Sequence, residues 1–140
     1  MKDNFFLDTN VFVYSFDQED PQKQSIARNL IKLSLSSHKG VISYQVIQEF
    51  CNVAMQKFKQ PLSVSDCGKY LANILSPLAI FFPSLDFYQS ALEVKQTYKY
   101  SWYDSLIVSA ALLSNCSILY SEDLQHEQVI QNLKIIDPFR

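Results

Sequence analysis

Glycine is nearly missing from this chain: Gly40 and Gly68 are the only two in 140 residues. Loops that cradle the phosphates of a nucleotide or dinucleotide need several glycines close together, so those cofactor classes are excluded. Histidine is equally scarce, with His38 and His126 far apart and both read as surface residues. Three cysteines, Cys51, Cys67 and Cys116, are odd in number and widely spaced. That excludes a disulfide framework and a zinc cluster, and it suggests reduced thiols in a cytoplasmic protein. Long apolar runs are lacking as well. The stretch from Leu106 to Leu113 is broken by Ser109, and nothing approaches the ~18 apolar residues that span a bilayer. Met1-Lys2-Asp3-Asn4 leads into an apolar segment with no signal-peptide pattern. There is no basic excess either. The net charge is −2, which argues against a protein that coats nucleic acid electrostatically. Four acids committed to metal would turn −2 into +2, so this last exclusion is weak.

What the chain does have is apolar and aromatic content, 48% and 14%, enough for one well-packed domain over residues 1–140. At this length a domain buries roughly two thirds of its unfolded surface.

Short apolar runs alternate with helical patterns. Phe5 to Asp8 reads as a first strand, and Asp20-Pro21 as a helix start ending near His38-Lys39-Gly40. Val41-Ile42-Ser43 reads as a second strand. The apolar stripe Val46, Ile47, Phe50, Val53, Ala54, Phe58 predicts a helix from Tyr44 to about Lys59. A helix follows from about Ser63 to Leu75, then a strand over Leu78 to Phe82, and a helix from Ser84 to about Lys99. Ser101 opens a helix that is apolar almost all round. Ser117 to Tyr120 is a strand, Glu122 to about Asn132 a short helix, and Lys134 to Ile136 a fifth strand. The alternation predicts an α/β fold with a mainly parallel five-stranded sheet and helices on both faces.

Within that frame Asp8 stands out, because it lies inside the apolar run Phe5-Phe6-Leu7-Asp8-Thr9-Asn10-Val11-Phe12-Val13. An unpaired buried carboxylate costs several kcal/mol or gives up its charge. At the carboxyl end of a parallel strand it costs less and faces the crevice where α/β folds place their chemistry. Thr9 and Asn10 follow with short polar side chains that can orient it. Glu49 shares a helix face with Gln45, Asn52 and Gln56. By itself that is a solvated face; it becomes functional if it looks into the crevice. Asp104 completes Ser101-Trp102-Tyr103-Asp104, a variant capping box that suffices as a structural role. Asp123 follows the fourth strand, with Ser121 read as the N-cap, and is preferred to Glu122 as the inward residue. Each acid alone is ordinary. Together they crowd one side of the sheet, and carboxylates so placed repel unless cations lie among them. Hard divalent ions, Mg²⁺ or Mn²⁺, meet that requirement and suit hydrolysis of a phosphodiester. The stretch from Lys95 to Tyr103 interleaves basic and aromatic residues just before Asp104. Lys95 and Lys99 are candidates for holding phosphates, against packing of the aromatics into the core.

Four stretches now align with a known pattern: Phe6-Leu7-Asp8-Thr9-Asn10-Val11, Val46-Ile47-Gln48-Glu49-Phe50, Tyr103-Asp104-Ser105-Leu106-Ile107 and Tyr120-Ser121-Glu122-Asp123-Leu124. In order and spacing they resemble the PIN domain, in particular the VapC-like ribonuclease toxins of type II toxin–antitoxin systems. The resemblance implies a three-layer α/β/α fold and a Mg²⁺- or Mn²⁺-dependent endoribonuclease. Asp8, Glu49, Asp104 and Asp123 would be its acidic metal site, with Asn10 and Ser121 as supporting polar groups. It also implies an RNA substrate, a homodimer and an inhibitory antitoxin partner. One departure is Glu127, where many relatives continue with glycine. Two other readings stand beside it: a non-enzymatic interaction module of the same fold, and a PIN nuclease of RNA processing outside a toxin–antitoxin pair. A haloacid-dehalogenase-like phosphatase is disfavoured, because the second aspartate it expects is Asn10 here.

Overall fold

A computed structural model describes residues 3–140. Six strands form one sheet in the order β3-β2-β1-β4-β6-β5. They are β1 (Asn4–Leu7), β2 (Gly40–Ser43), β3 (Ala79–Phe81), β4 (Cys116–Tyr120), β5 (Val129–Ile130) and β6 (Leu133–Ile136). All neighbours pair in parallel except β5 with β6. The sixth strand, β5, is a difference from the five expected. It folds back on β6 as a short hairpin, over residues whose pattern suggested helix.

The helices are α1 (Thr9–Tyr14), α2 (Pro21–Ser37), α3 (Tyr44–Gln56), α4 (Val64–Tyr70), α5 (Leu85–Tyr98) and α6 (Trp102–Leu113). α1 packs against both α2 and α3, α3 packs against α4, and α5 packs along α6. With the sheet these groups make the α/β/α arrangement. The start of α2 follows its sequence signal: the Asp20 carboxylate accepts from the Lys23 N–H, and Pro21 occupies the first turn. The core is drawn from both sheet faces. Phe5, Phe6, Leu7, Ile42, Leu119 and Ile135 have essentially no exposure, as expected for parallel strands covered on both sides.

Three elements depart from the sequence pattern. α1 begins directly after β1, because Asp8 caps it by accepting from the Thr9 N–H at 2.7 Å. The helix expected from Ser63 to Leu75 turns π-helical from Leu71 to Leu75. The helix expected from Glu122 to Asn132 does not form. Ser121 instead accepts from the Asp123 N–H at 3.2 Å, and Glu127 turns left-handed at φ 69° while its N–H donates to the Ile135 carbonyl. Bonds to β6 replace those a helix would have made.

The strand order places the site. From β1 the chain moves outward through β2 and β3, then returns to lay β4 on the other side of β1. The carboxyl ends of β1 and β4 therefore flank a topological switch point, where open α/β sheets bind their ligands.

Candidate active site

Asp8 lies at that switch point. Its N–H donates to the Tyr120 carbonyl at 3.0 Å, and its side chain is only 6% exposed. One carboxylate oxygen accepts from the Thr9 N–H at 2.7 Å, the other from the Ser121 hydroxyl at 2.8 Å. Burial nevertheless pushes the carboxyl up to about 7. The two hydrogen bonds oppose that rise, and the nearby negative charges of Asp123 and Glu49 add to it.

The other acids are brought to the same crevice by different elements. Glu49 projects from α3. Its Oε2 accepts from the Thr9 hydroxyl at 3.1 Å and its Oε1 from the Gln45 amide at 2.7 Å. Of the polar face on α3, Gln45 and Glu49 thus turn inward. Asp123 follows β4, and the Asn10 amide donates to both its oxygens at 3.3 and 3.4 Å. Its carboxyl is raised by burial first, then by the charges of Asp104, Glu122 and Glu49. Asp104 sits in the first turn of α6, where the Ser101 hydroxyl accepts from its N–H at 3.1 Å. Its place in the first turn is compatible with facing the other acids, since the helix N-terminus favours an anion there. All four acids therefore share one electrostatic field.

Ser121 bonds Asp8, whereas Asn10 bonds Asp123 and not Asp8. Thr9 and Gln45 do more than the sequence suggested. Thr9 joins Asp8 to Glu49, and the Gln45 amide spans Glu49 and the Tyr103 carbonyl, the latter at 3.2 Å. The only hint was position: Thr9 follows Asp8, and Gln45 precedes Glu49 by one helical turn. Glu122 points elsewhere, paired with Lys23 at 3.1 Å and accepting from the Tyr14 hydroxyl at 2.7 Å. Lys95 and Lys99 stand exposed at the end of α5. The Lys95 ammonium donates to the Tyr100 carbonyl at 3.0 Å, and Lys99 is the left-handed residue that closes the helix.

The donor set suits a hard divalent ion, because it is all carboxylate with amide and hydroxyl support. Among the described residues none of the four acids pairs with a lysine or arginine. Among those residues no three acidic, histidine or cysteine side chains lie close enough together, as they stand, to hold a metal ion.

Comparison with known proteins agrees with this geometry. A family model described as PIN domain matches residues 5–131. Among solved structures, a toxin–antitoxin complex from Klebsiella pneumoniae is similar with a TM-score of 0.68 and 18% identity, over 96% of this chain and 98% of that one. VapBC2 from Rickettsia felis, bound to a DNA fragment from its promoter, gives 0.67 and 21%, over 94% and 96%. VapC20 from Mycobacterium tuberculosis, a toxin that cleaves the sarcin–ricin loop, gives 0.61 and 15%, over 84% and 88%. At these identities the structures show a shared fold. No curated protein matches the chain. The family pattern runs from β1 to the turn before β6, through all four acids, and the chain belongs to the PIN-domain family.

Proposed function

We propose that this protein is a Mg²⁺- or Mn²⁺-dependent endoribonuclease and the toxin of a toxin–antitoxin pair. The observation that carries the reading is the convergence of Asp8, Glu49, Asp104 and Asp123 on the crevice between the ends of β1 and β4. Such a field needs cations before a phosphodiester can approach it.

Asp8 is the central ligand, its carboxylate fixed by Thr9 and Ser121 and kept from bulk water by burial. Glu49 and Asp104 hold the ion or its waters, with Glu49 aimed by Thr9 and Gln45. Asp123, oriented by Asn10, completes the site or helps place a second ion. When bound, the divalent ion supplies an acidified water for attack on phosphorus and offsets charge on the phosphoryl group. Lys95 and Lys99 are assigned to the flanking phosphates, a role that Lys95→Ala with Lys99→Ala should expose as weaker cleavage.

The toxin reading draws support from the similar structures, a toxin–antitoxin complex and a VapBC protein among them. A homodimer fits the exposed Leu85, Tyr88 and Leu92, which share one face of α5; a monomer in sedimentation would contradict it. No helix among the described residues is long and apolar enough to cross a membrane, and we place the protein in the cytoplasm.

The test is incubation of purified protein with total RNA and Mg²⁺ or Mn²⁺, beside Asp8→Asn. Cleavage that needs the ion and vanishes in the variant supports the nuclease. Equal cleavage by both preparations points to a contaminant, and absence of both cleavage and ion binding favours the interaction module. Expression in a bacterial host separates the two nuclease readings. Growth arrest by the active form alone supports a toxin, and harmless expression of an active nuclease supports RNA processing.

A further inference from the structure

We propose that Tyr103 and the paired rings of Tyr44 and Phe82, exposed on the rim that carries the acids, stack unpaired RNA bases next to the scissile phosphate. The inference rests on the nuclease reading and names the form of RNA that reading would take.

The platform lies on the same rim of the sheet as the acids. Tyr44 opens α3 directly after β2, and Phe82 directly follows β3. Strands in a sheet lie ~4.8 Å apart, so the rim runs from Asp8 at the end of β1 past Tyr44 to Phe82 in two strand steps. Tyr44 and Phe82 touch edge to face, their ring centroids 5.4 Å apart. The Gln45 amide, next in the chain to Tyr44, reaches both the Tyr103 carbonyl and Glu49. Tyr103 is also the residue before Asp104. It therefore adjoins one acid in the chain and is tied through Gln45 to a second.

Exposure distinguishes these rings from the other aromatics nearby. Tyr98, Tyr100 and Trp102 pack against the core, with Tyr98 and Tyr100 stacked at 6.0 Å and the Tyr100 hydroxyl bonded to Gln128. Tyr103 is 66% exposed, Phe82 66% and Tyr44 42%. Three open rings on one rim are more apolar surface than a solvated rim requires.

Charge favours RNA bases as the occupant. The acids repel phosphates, and none of them is paired with a cation among the described residues. Stacking adds affinity that this field does not oppose, since every base has a face that stacks on an aromatic ring. A duplex offers no free base face to such a platform, so the site takes single strands, loops or bulges.

The test uses the full chain carrying Asp8→Asn, which prevents turnover, and single-stranded oligoribonucleotides with 2-aminopurine at successive positions. Stacking quenches this base. The expected result is quenching at positions beside the cleavage point, lost on adding Tyr103→Ala and retained with Tyr103→Trp. Affinity for the single strand should fall roughly tenfold or more with the alanine change. In the cleaving protein, the same change should act on KM more than on kcat. Sedimentation of each variant is the control. Unchanged RNA affinity and quenching in Tyr103→Ala and Tyr44→Ala would overturn the platform while leaving the nuclease intact. A shift in oligomeric state with RNA affinity unaltered would also overturn it and make the rim a contact between copies. Failure of the parent protein both to cleave and to bind any RNA would remove the nuclease reading and the platform together.

Discussion

Asp8 answers two opposed demands, being buried for position yet ionised for use. Its carboxyl lies near 7 where an unfolded aspartate lies near 3.8. Between those values the native state holds a proton that the unfolded chain has released. Stability of ion-free protein should therefore fall as pH rises from about 4 to about 7, by about 4 kcal/mol in all, and level off above. Thermal unfolding in EDTA across that window checks the slope, which should be shallower in Asp8→Asn and shallower again when Mn²⁺ is present. An equal slope in the variant would assign the effect to other groups. Glu127 is a second residue whose local physics is plain. Its φ of 69° lies in the left-handed region, which glycine adopts without the steric cost a side chain brings. Glu127→Gly should stabilise the protein by roughly 1 kcal/mol in denaturant titration. The acids were legible in the sequence because each sits at a strand end or helix start, where a charge needs a reason. The partners of Thr9 and Gln45 were not legible, since they depend on which elements the fold makes neighbours.

Element boundaries followed the sequence where local signals and tertiary contacts agree. Asp20-Pro21, Ser84 and Ser101 each mark a helix start, and all three side chains cap as their type predicts. Ser101→Ala should lower stability by about 1 kcal/mol and also loosen the turn that carries Asp104. The segment after β4 went the other way. Its residues tolerate helix, but Ser121 is already engaged with Asp8, and the backbone finds partners in β6. α1 was missed because Val11-Phe12-Val13-Tyr14 is as apolar as a strand and only six residues of helix form. Gly40 explains how α2 meets β2. A methyl group there would come within 2.4 Å of the Ser34 Cβ. Gly40→Ala should destabilise by roughly 1–3 kcal/mol, seen as a lower denaturation midpoint.

At the scale of the molecule, the alternation of strands and helices predicted a mainly parallel sheet, and the sheet is mainly parallel. Strand order was beyond the sequence, because apolar parallel strands read alike. That order matters most, since it sets β4 beside β1 and so brings Asp123 to Asp8 across 115 residues of chain. A chain of net charge −2 that gathers four acids at one crevice should be uncommonly sensitive to divalent ions. The most direct test is a titration of the full chain with Mn²⁺, followed by calorimetry or by the electron paramagnetic signal of free Mn²⁺. Saturable binding that weakens at least tenfold in Asp8→Asn is the predicted result. Equal binding by the two proteins, or none by either, would contradict a metal centre built on these four carboxylates.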